Sequence, residues 1–398
     1  MVDRQTSWKL LLVGTLSYVL LMFAWFSLAA YLSLVIPDLG LSDTEAGIIT
    51  GAVPLTYIPV ALLSGPVIDR IGPYRAIGYG MLVLGVAQIG RSTAVGFGSL
   101  LAFTILLGIG GSGISFGLPK LVSELFPVDG GTPSSVYIMG SIVGNAAAFT
   151  VGRGVLGPVL GGWRPLFLAT GCVSLGYVAL WAVVVKTAAP DRSETGTMAN
   201  LRIAEIKQDV VTVLSNPSIR LLIVVGVAYL MTLHGVQNWL TAVLEARDFS
   251  TAVATTATSG FIVAQAVGTL ALPPVTDRLD TSNGVVALCG IACTIGVATL
   301  LSETSPLLVL IAGIAIAGIG VGGLSPLVRL IPTEIDGIGP ALTGTAVGVT
   351  FSFGQIGGFV APFLIGSLQD LTGSYVPGFA VLSVACVAAV VAAWRLPV

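Results

Sequence analysis

Charge is what this sequence has least of. Its 398 residues include 17 Lys+Arg and 19 Asp+Glu, 9% of the chain, where a water-soluble domain carries roughly 25%. So few charges cannot cover the outside of a soluble globule of this size. With a net charge of −2 and no basic block, nucleic-acid binding falls away. The single histidine, His234, and the scarcity of carboxylates within apolar stretches are too poor a set for a membrane enzyme. Cys172, Cys289, Cys293 and Cys386 all lie in apolar runs with no further ligand beside them, so they read as small packing residues rather than a metal site. No Asn-x-Ser/Thr site with x other than Pro occurs, and nothing marks a glycosylated ectodomain. A G-x(4)-G-K-[S/T] loop is also missing, so any work the protein does is driven by a gradient and not by ATP. No cofactor is expected.

Apolar length is abundant by contrast: 55% of residues are hydrophobic. A bilayer core of about 30 Å takes ~20 apolar residues per helix. Runs of that length fall near 9–36, 44–65, 74–94, 98–120, 134–158 and 164–186, and again near 218–241, 252–274, 284–302, 306–328, 341–366 and 375–396. They lack polar–apolar alternation, which argues against a membrane barrel. The reading is an all-α integral membrane protein with twelve transmembrane helices, the first of them a retained helix. The domains are 1–186 and 218–398, two six-helix bundles, joined by a linker at 187–217. In that linker Ile203, Ile206, Val210 and Val213 share one face, as in an amphipathic helix lying on the inner membrane surface. With the N-terminus inside, most Lys and Arg fall on the cytoplasmic side and Arg91, Arg164 and Arg247 outside; both termini are then cytoplasmic, in a multi-pass protein of the plasma membrane. Trp8, Trp163, Trp239 and Trp394 stand at helix ends, where interfacial anchors belong.

The second half echoes the first. Pro66-Val-Ile-Asp69-Arg70 recurs as Pro274-Val-Thr-Asp277-Arg278, and Gly108-Ile-Gly110 as Gly318-Ile-Gly320. Gly140, Gly144, Phe149, Pro158 and Gly162 recur as Gly344, Gly348, Phe353, Pro362 and Gly366, all at one offset. Both Gly-x-Gly-x-x-Gly runs sit inside unbroken apolar helices. They therefore serve close helix packing and not a dinucleotide. The duplication implies two pseudo-symmetric six-helix bundles.

These residues resemble the major facilitator superfamily of secondary transporters over essentially the whole chain. Gly65-x-x-x-Asp69-Arg70-x-Gly72-x-x-Arg75 is similar to the family's loop 2–3 motif, with Pro73 in place of the usual basic residue, and the degenerate copy at Asp277-Arg278 is also typical. Gly157-Pro158-Val-Leu-Gly161-Gly162 resembles part of the helix 5 motif of the family's antiporters, although Arg153 takes a glycine position and Thr104 stands where the family often has arginine. The Gly-rich helices 4, 5, 10 and 11 look most like those of nitrate/nitrite and cyanate porters, yet helices 2 and 8 lack the interior arginines that nitrate porters use. The resemblance implies the two-bundle fold, alternating access and a substrate site near the midplane. No resident ligand or macromolecular partner is implied beyond the small-molecule substrate, a coupling proton or counter-anion, and the bilayer. A monomer is expected.

Intramembrane charge is a functional hypothesis by default. Arg153, flanked by Gly152 and Gly154, could hold a carboxylate or other small oxyanion by two parallel bonds, or snorkel toward the outer interface. His234 could carry a proton or pack as a neutral side chain. Asn145, Gln265 and Gln355, and less so Gln88, are mid-depth amides that line a cavity or join helices; Trp25, Tyr57 and Tyr229 lie near the expected midplane. Lys120 with Glu124, and Arg329 with Glu334, stand near the cytoplasmic boundary and form an inner gate or snorkel. The substrate class expected is a small organic or inorganic anion; the alternative is gradient-driven efflux of a neutral or cationic compound. Gly65, Asp69, Arg70, Gly72 and Arg75, with Asp277 and Arg278, form a latch whose contacts exist in one conformer only. Asp69→Asn should therefore slow transport in proteoliposomes more than it weakens substrate binding; a pure affinity loss at normal turnover would contradict a latch.

Overall fold

In a computed structural model describing residues 4–128, 130–188, 203–279 and 281–397, every regular element is helical. In chain order the α-helices are α1 (Arg4–Ala30), α2 (Leu32–Leu39), α3 (Asp43–Ile71), α4 (Pro73–Ser92), α5 (Phe97–Leu125), α6 (Gly131–Ala147), α7 (Gly157–Leu160) and α8 (Trp163–Ala188). Then come α9 (Ile203–Ser215), α10 (Pro217–Ala246), α11 (Thr251–Ala271), α12 (Pro273–Leu279), α13 (Ser282–Ala298), α14 (Leu307–Leu330), α15 (Pro340–Thr372) and α16 (Val376–Trp394). A π-helical segment, Ala148–Leu156, joins α6 to α7. Ten helical stretches among the described residues are long and apolar enough to cross a membrane. With α3 and α4, 29 and 20 residues long, they make twelve spans.

Helix is the element lipid permits, because each backbone N–H and C=O must be satisfied within the segment. Intramembrane hydroxyls obey the same rule by bonding back to their own helix. Thr50 donates to Ala46 O at 2.9 Å, Thr104 to Leu100 O at 2.7 Å and Thr350 to Ala346 O at 2.9 Å.

The chain divides into two compact units, Met1–Leu41 with Thr56–Asn200, and Ser42–Leu55 with Leu201–Val398. Helix α3 thus contributes its first part to unit 2 and the rest to unit 1. In unit 1, α1 packs on α6, and α4 on α5 and α8; in unit 2, α10 packs on α15, and α13 on α14 and α16. These are the same pairings, one repeat apart. The carboxylate of Asp370 near the end of α15 caps the start of α3, accepting Asp43 N–H at 3.1 Å, Thr44 N–H at 2.8 Å and the Thr44 hydroxyl at 2.5 Å. The linker holds a helix, α9, with Val213 buried and α9 packed on α10 and α15; Ile203 and Ile206 lie outside the described side chains.

The glycine runs fill the role read from the sequence. A Cβ at Gly80 would come within 2.6 Å of Gly110 O, and one at Gly110 within 2.8 Å of Gly80 O, so α4 and α5 touch backbone to backbone. On α14, Gly318 meets Phe261 O of α11 and Gly320 meets Cys289 O of α13, each at 2.6 Å. Helix α14 is wedged between two neighbours through opposite glycine edges.

Two expectations fail. The span at 9–36 is not one helix: it breaks at Tyr31 between α1 and α2. Trp239 is not an exposed anchor: it is fully buried and donates its indole N–H to Pro362 O at 3.0 Å, because an indole at a helix end finds a carbonyl inside the bundle as readily as a partner in headgroups. Trp163 donates to the exposed carboxylate of Asp38 at 3.2 Å. Trp394 stays exposed.

Gly320→Val should force α14 away from α13 and destabilise the protein by about 1–3 kcal/mol, read as a lower unfolding midpoint in detergent, whereas Gly339→Val, which meets open space, should leave the midpoint in place.

Candidate functional site

In unit 1 the aromatic residues expected at mid-depth come together. Trp25 of α1 packs on Tyr57 of α3 with ring centroids 5.5 Å apart, and the Tyr57 hydroxyl shares a 3.0 Å hydrogen bond with Ser115 of α5. Phe26, Phe116 and Phe149 extend the cluster. Its polar edge is the α6–π–α7 rod, where Asn145 and Arg153 are buried. Arg153 lies in the π segment, and its guanidinium carbon sits 4.8 Å from the centroid of the Tyr31 ring. Tyr31 in turn donates its hydroxyl to Gly152 O at 3.0 Å.

In unit 2 the polar residues gather on α10, α11 and α15. Gln237 donates to Gln265 at 3.0 Å, and Thr241 and Thr258 share a hydroxyl pair at 2.9 Å. His234 and Gln355 both flank Gly358: a Cβ there would lie 2.8 Å from His234 Cδ2 and 3.4 Å from Gln355 Oε1. Asn238 donates to His234 O. Tyr229 is buried one helical stretch away on the same helix. Gln237, which the sequence offers as lining the mouth beside His234 or marking the helix end, is thus tied to one of the residues singled out from the sequence.

The remaining candidates are peripheral. Lys120 is half-buried and Glu124 exposed at the end of α5. Arg329 folds back on its own helix, donating to Ser325 O and Oγ and covering the Phe351 ring at 4.3 Å, while Glu334 is exposed past the following turn. In the latch, Arg70, Arg75 and Arg278 are exposed. Gly72 opens α4 at φ +79°, a backbone conformation that side-chain-bearing residues rarely adopt, which accounts for glycine there. Gly65, Asp69 and Asp277 lie outside the described side chains. An apolar groove of about 470 Å³ between α11 and α14, lined by residues such as Val253, Gly260 and Ile311, offers no charged group.

Arg91, counted on the outer side from the sequence, has its side chain turned inward. It ends α4 fully buried, with its guanidinium 5.0 Å from the Phe167 ring centroid. Its Nη1 donates to Ala24 O at 3.0 Å and to Gln88 Oε1 at 3.1 Å, while Nε and Nη2 have no hydrogen-bond partner. Gln88 donates onward to Ser27 and Thr170, both at 3.2 Å, and so joins helices rather than lining a cavity. This closed network holds the Ala24–Ser27 turn of α1, on which Trp25 rides, against α4 and α8. Counting Lys and Arg by side of the membrane hid it, because a guanidinium at a helix end can turn inward to free carbonyls as easily as outward.

Twelve apolar spans, an internal duplication that repeats helix pairings, and buried polar clusters in each unit are the organisation of a secondary transporter. The chain belongs to the Major Facilitator Superfamily, whose model matches residues 14–362. It is a multi-pass membrane transporter and not an enzyme. Relatives include the uncharacterized transporter YycB of Bacillus subtilis, 26% identical over 88% of this chain and 83% of its own, and a probable sulfoacetate transporter of Cupriavidus necator, 24% identical over 85% and 81%. A nitrate/nitrite transporter of Picosynechococcus matches more narrowly, 27% identical over 36% of this chain and 27% of its own. Among solved structures, the nucleoside transporter NupG shares the fold at a TM-score of 0.81 and 12% identity, covering 99% of this chain and all of that one.

Arg91→Ala should leave Gln88 Oε1 without its donor and open a cavity, a loss of about 2 kcal/mol or more. A lowered unfolding midpoint in detergent checks it.

Proposed function

We propose that the protein carries a small organic or inorganic oxyanion across the plasma membrane by alternating access, with Arg153 as its positive contact. The observation that carries this reading is a guanidinium buried in the membrane span, laid over an aromatic ring and seated in an irregular stretch of helix. Charge at that depth is costly and is kept for a ligand of opposite sign, and a guanidinium fork fits a planar oxyanion. Sulfoacetate and nitrate, named for two relatives, belong to that chemical class.

In this reading Trp25, Tyr57 and Asn145 line the site beside Arg153, and Tyr229, His234, Gln265 and Gln355 supply uncharged contacts from the second repeat. Residues 1–186 and 218–398 are the two moving bundles, with 187–217 between them and both termini in the cytoplasm. Lys120, Glu124, Arg329 and Glu334 border the inner mouth, and the Asp69 and Asp277 loops latch it. A transmembrane gradient drives the cycle, through a proton or a counter-anion.

The test is counterflow in proteoliposomes against a panel of small oxyanions and amines. Arg153→Ala should cut oxyanion uptake by at least 100-fold, the scale of losing one buried charge-assisted contact. Unchanged oxyanion uptake in Arg153→Ala, or counterflow with amines alone, would replace this reading with export of a neutral or cationic compound.

A further inference from the structure

The α6–π–α7 rod and α15 are repeat mates, with the same residue count across the stretch that bears the π turn. Phe149 and Pro158 are nine residues apart, as are Phe353 and Pro362, and Gly140, Gly144 and Gly162 pair with Gly344, Gly348 and Gly366 at the same offset. Yet α15 runs as an α-helix from Pro340 to Thr372, while the first copy is π-helical over Ala148–Leu156. No residue has been inserted. The wider winding is therefore a choice of hydrogen-bond register that the same number of residues makes in one copy and not in the other. Returning one i→i+5 turn to i→i+4 would rotate the rest of the rod by about 100°, enough to swing a side chain to another face of the helix.

One carbonyl marks the π register at its end. Gly157 N–H reaches back five residues to Gly152 O, and that same carbonyl accepts the Tyr31 hydroxyl at 3.0 Å. Gly157 leaves the space in which the hydroxyl sits, for a Cβ there would fall on the Tyr31 oxygen. The other face of the arrangement is the Tyr31 ring, which carries the Arg153 guanidinium at 4.8 Å and is itself braced edge-on by Phe167, 6.3 Å away. One side chain thus grips both the carbonyl that closes the π turn and the cation that the turn displays. The mate of Arg153 is Gly357, where even a Cβ would lie 2.6 Å from Val227 O of α10: the α-helical copy has no room for any side chain.

We propose that Tyr31 is a positioning residue that holds this rod in its π register and so fixes the direction of Arg153. The register part stands alone; the effect on transport rests on the oxyanion reading above. Tyr31→Phe tests it, because the ring and its cation contact remain while the bond to Gly152 O is lost. Hydrogen exchange measured by mass spectrometry on the purified protein should show amides of 148–157 exchanging about 5–10-fold faster, the worth of one hydrogen bond, with amides of α15 unchanged. Gly157→Ala, which displaces the hydroxyl, should reproduce the pattern. In proteoliposomes Tyr31→Phe should raise the oxyanion KM about 5–10-fold while Vmax holds, and in an Arg153→Lys background it should add far less than it does alone.

Unchanged exchange at 148–157 in Tyr31→Phe, or faster exchange spread evenly over the chain, overturns the register assignment. Full additivity with Arg153→Lys overturns the positioning of the cation. If Arg153→Ala transports oxyanions normally while exchange responds as expected, the substrate reading has failed and the register has not.

Discussion

Helices immersed in lipid gain little from burying leucine against leucine, because acyl chains offer the same contact. What lipid cannot offer is the dense apposition of two backbones, and that is where the glycines of this chain stand. Gly80 against Gly110, Gly318 against Phe261 O and Gly320 against Cys289 O set helix separations that no side chain permits. The polar contacts depend on that closeness. Once helices touch through their backbones, a neighbour's carbonyls come within reach, and Trp181 donates to Tyr74 O, Tyr177 to Val13 O and Trp239 to Pro362 O. Tight packing and hydrogen bonding are one constraint here, not two.

The twelve spans, the duplication and the packing role of the glycine runs were legible because each rests on a pattern repeated many times: apolar length, or matched residues at one offset. The candidate site was legible only as a set of residues too costly to be idle. That Arg153 is a charge within a span could be read from its place in the chain; that it lies over Tyr31 could not, because the contact joins side chains far apart in sequence. The π segment leaves no mark on periodicity, because its residue count equals that of its α-helical mate. Trp239 was misplaced for a related reason: position along a helix gives depth in the membrane but not the direction in which a side chain points.

A duplicated protein lets its two copies serve as controls for one another. Tyr31 and Trp239 occupy matching places near the ends of α1 and α10, and each donates to a backbone carbonyl of its partner rod, Gly152 O in one copy and Pro362 O in the other. The tie between these helices is therefore a property of the repeat. What differs is what accompanies the tie. In the first copy it coexists with a widened helix and an arginine; in the second, with a regular helix and Gly357 pressed against Val227. The cation is an addition to the shared scaffold, and an addition that a bilayer penalises persists where it acts on something.

Arg91 is the instructive contrast. It too is buried, and it too lies over an aromatic ring, that of Phe167. But its Nη1 is committed to Ala24 O and Gln88, and the network runs on to Ser27 and Thr170, tying three helices together. Phe167 stands between the two systems, covered by Arg91 and set edge-on to the Tyr31 ring that carries Arg153. Cation, ring, ring, cation therefore run in sequence through unit 1. The first cation anchors the α1 turn bearing Trp25, and the second sits on the helix that turn faces. A shift at Arg91 would reach Arg153 through two aromatic contacts without any polar group in between. In the proposed reading, then, two arginines that share one aromatic path divide the work: Arg91 is committed to carbonyls and Gln88, and Arg153 meets the ligand.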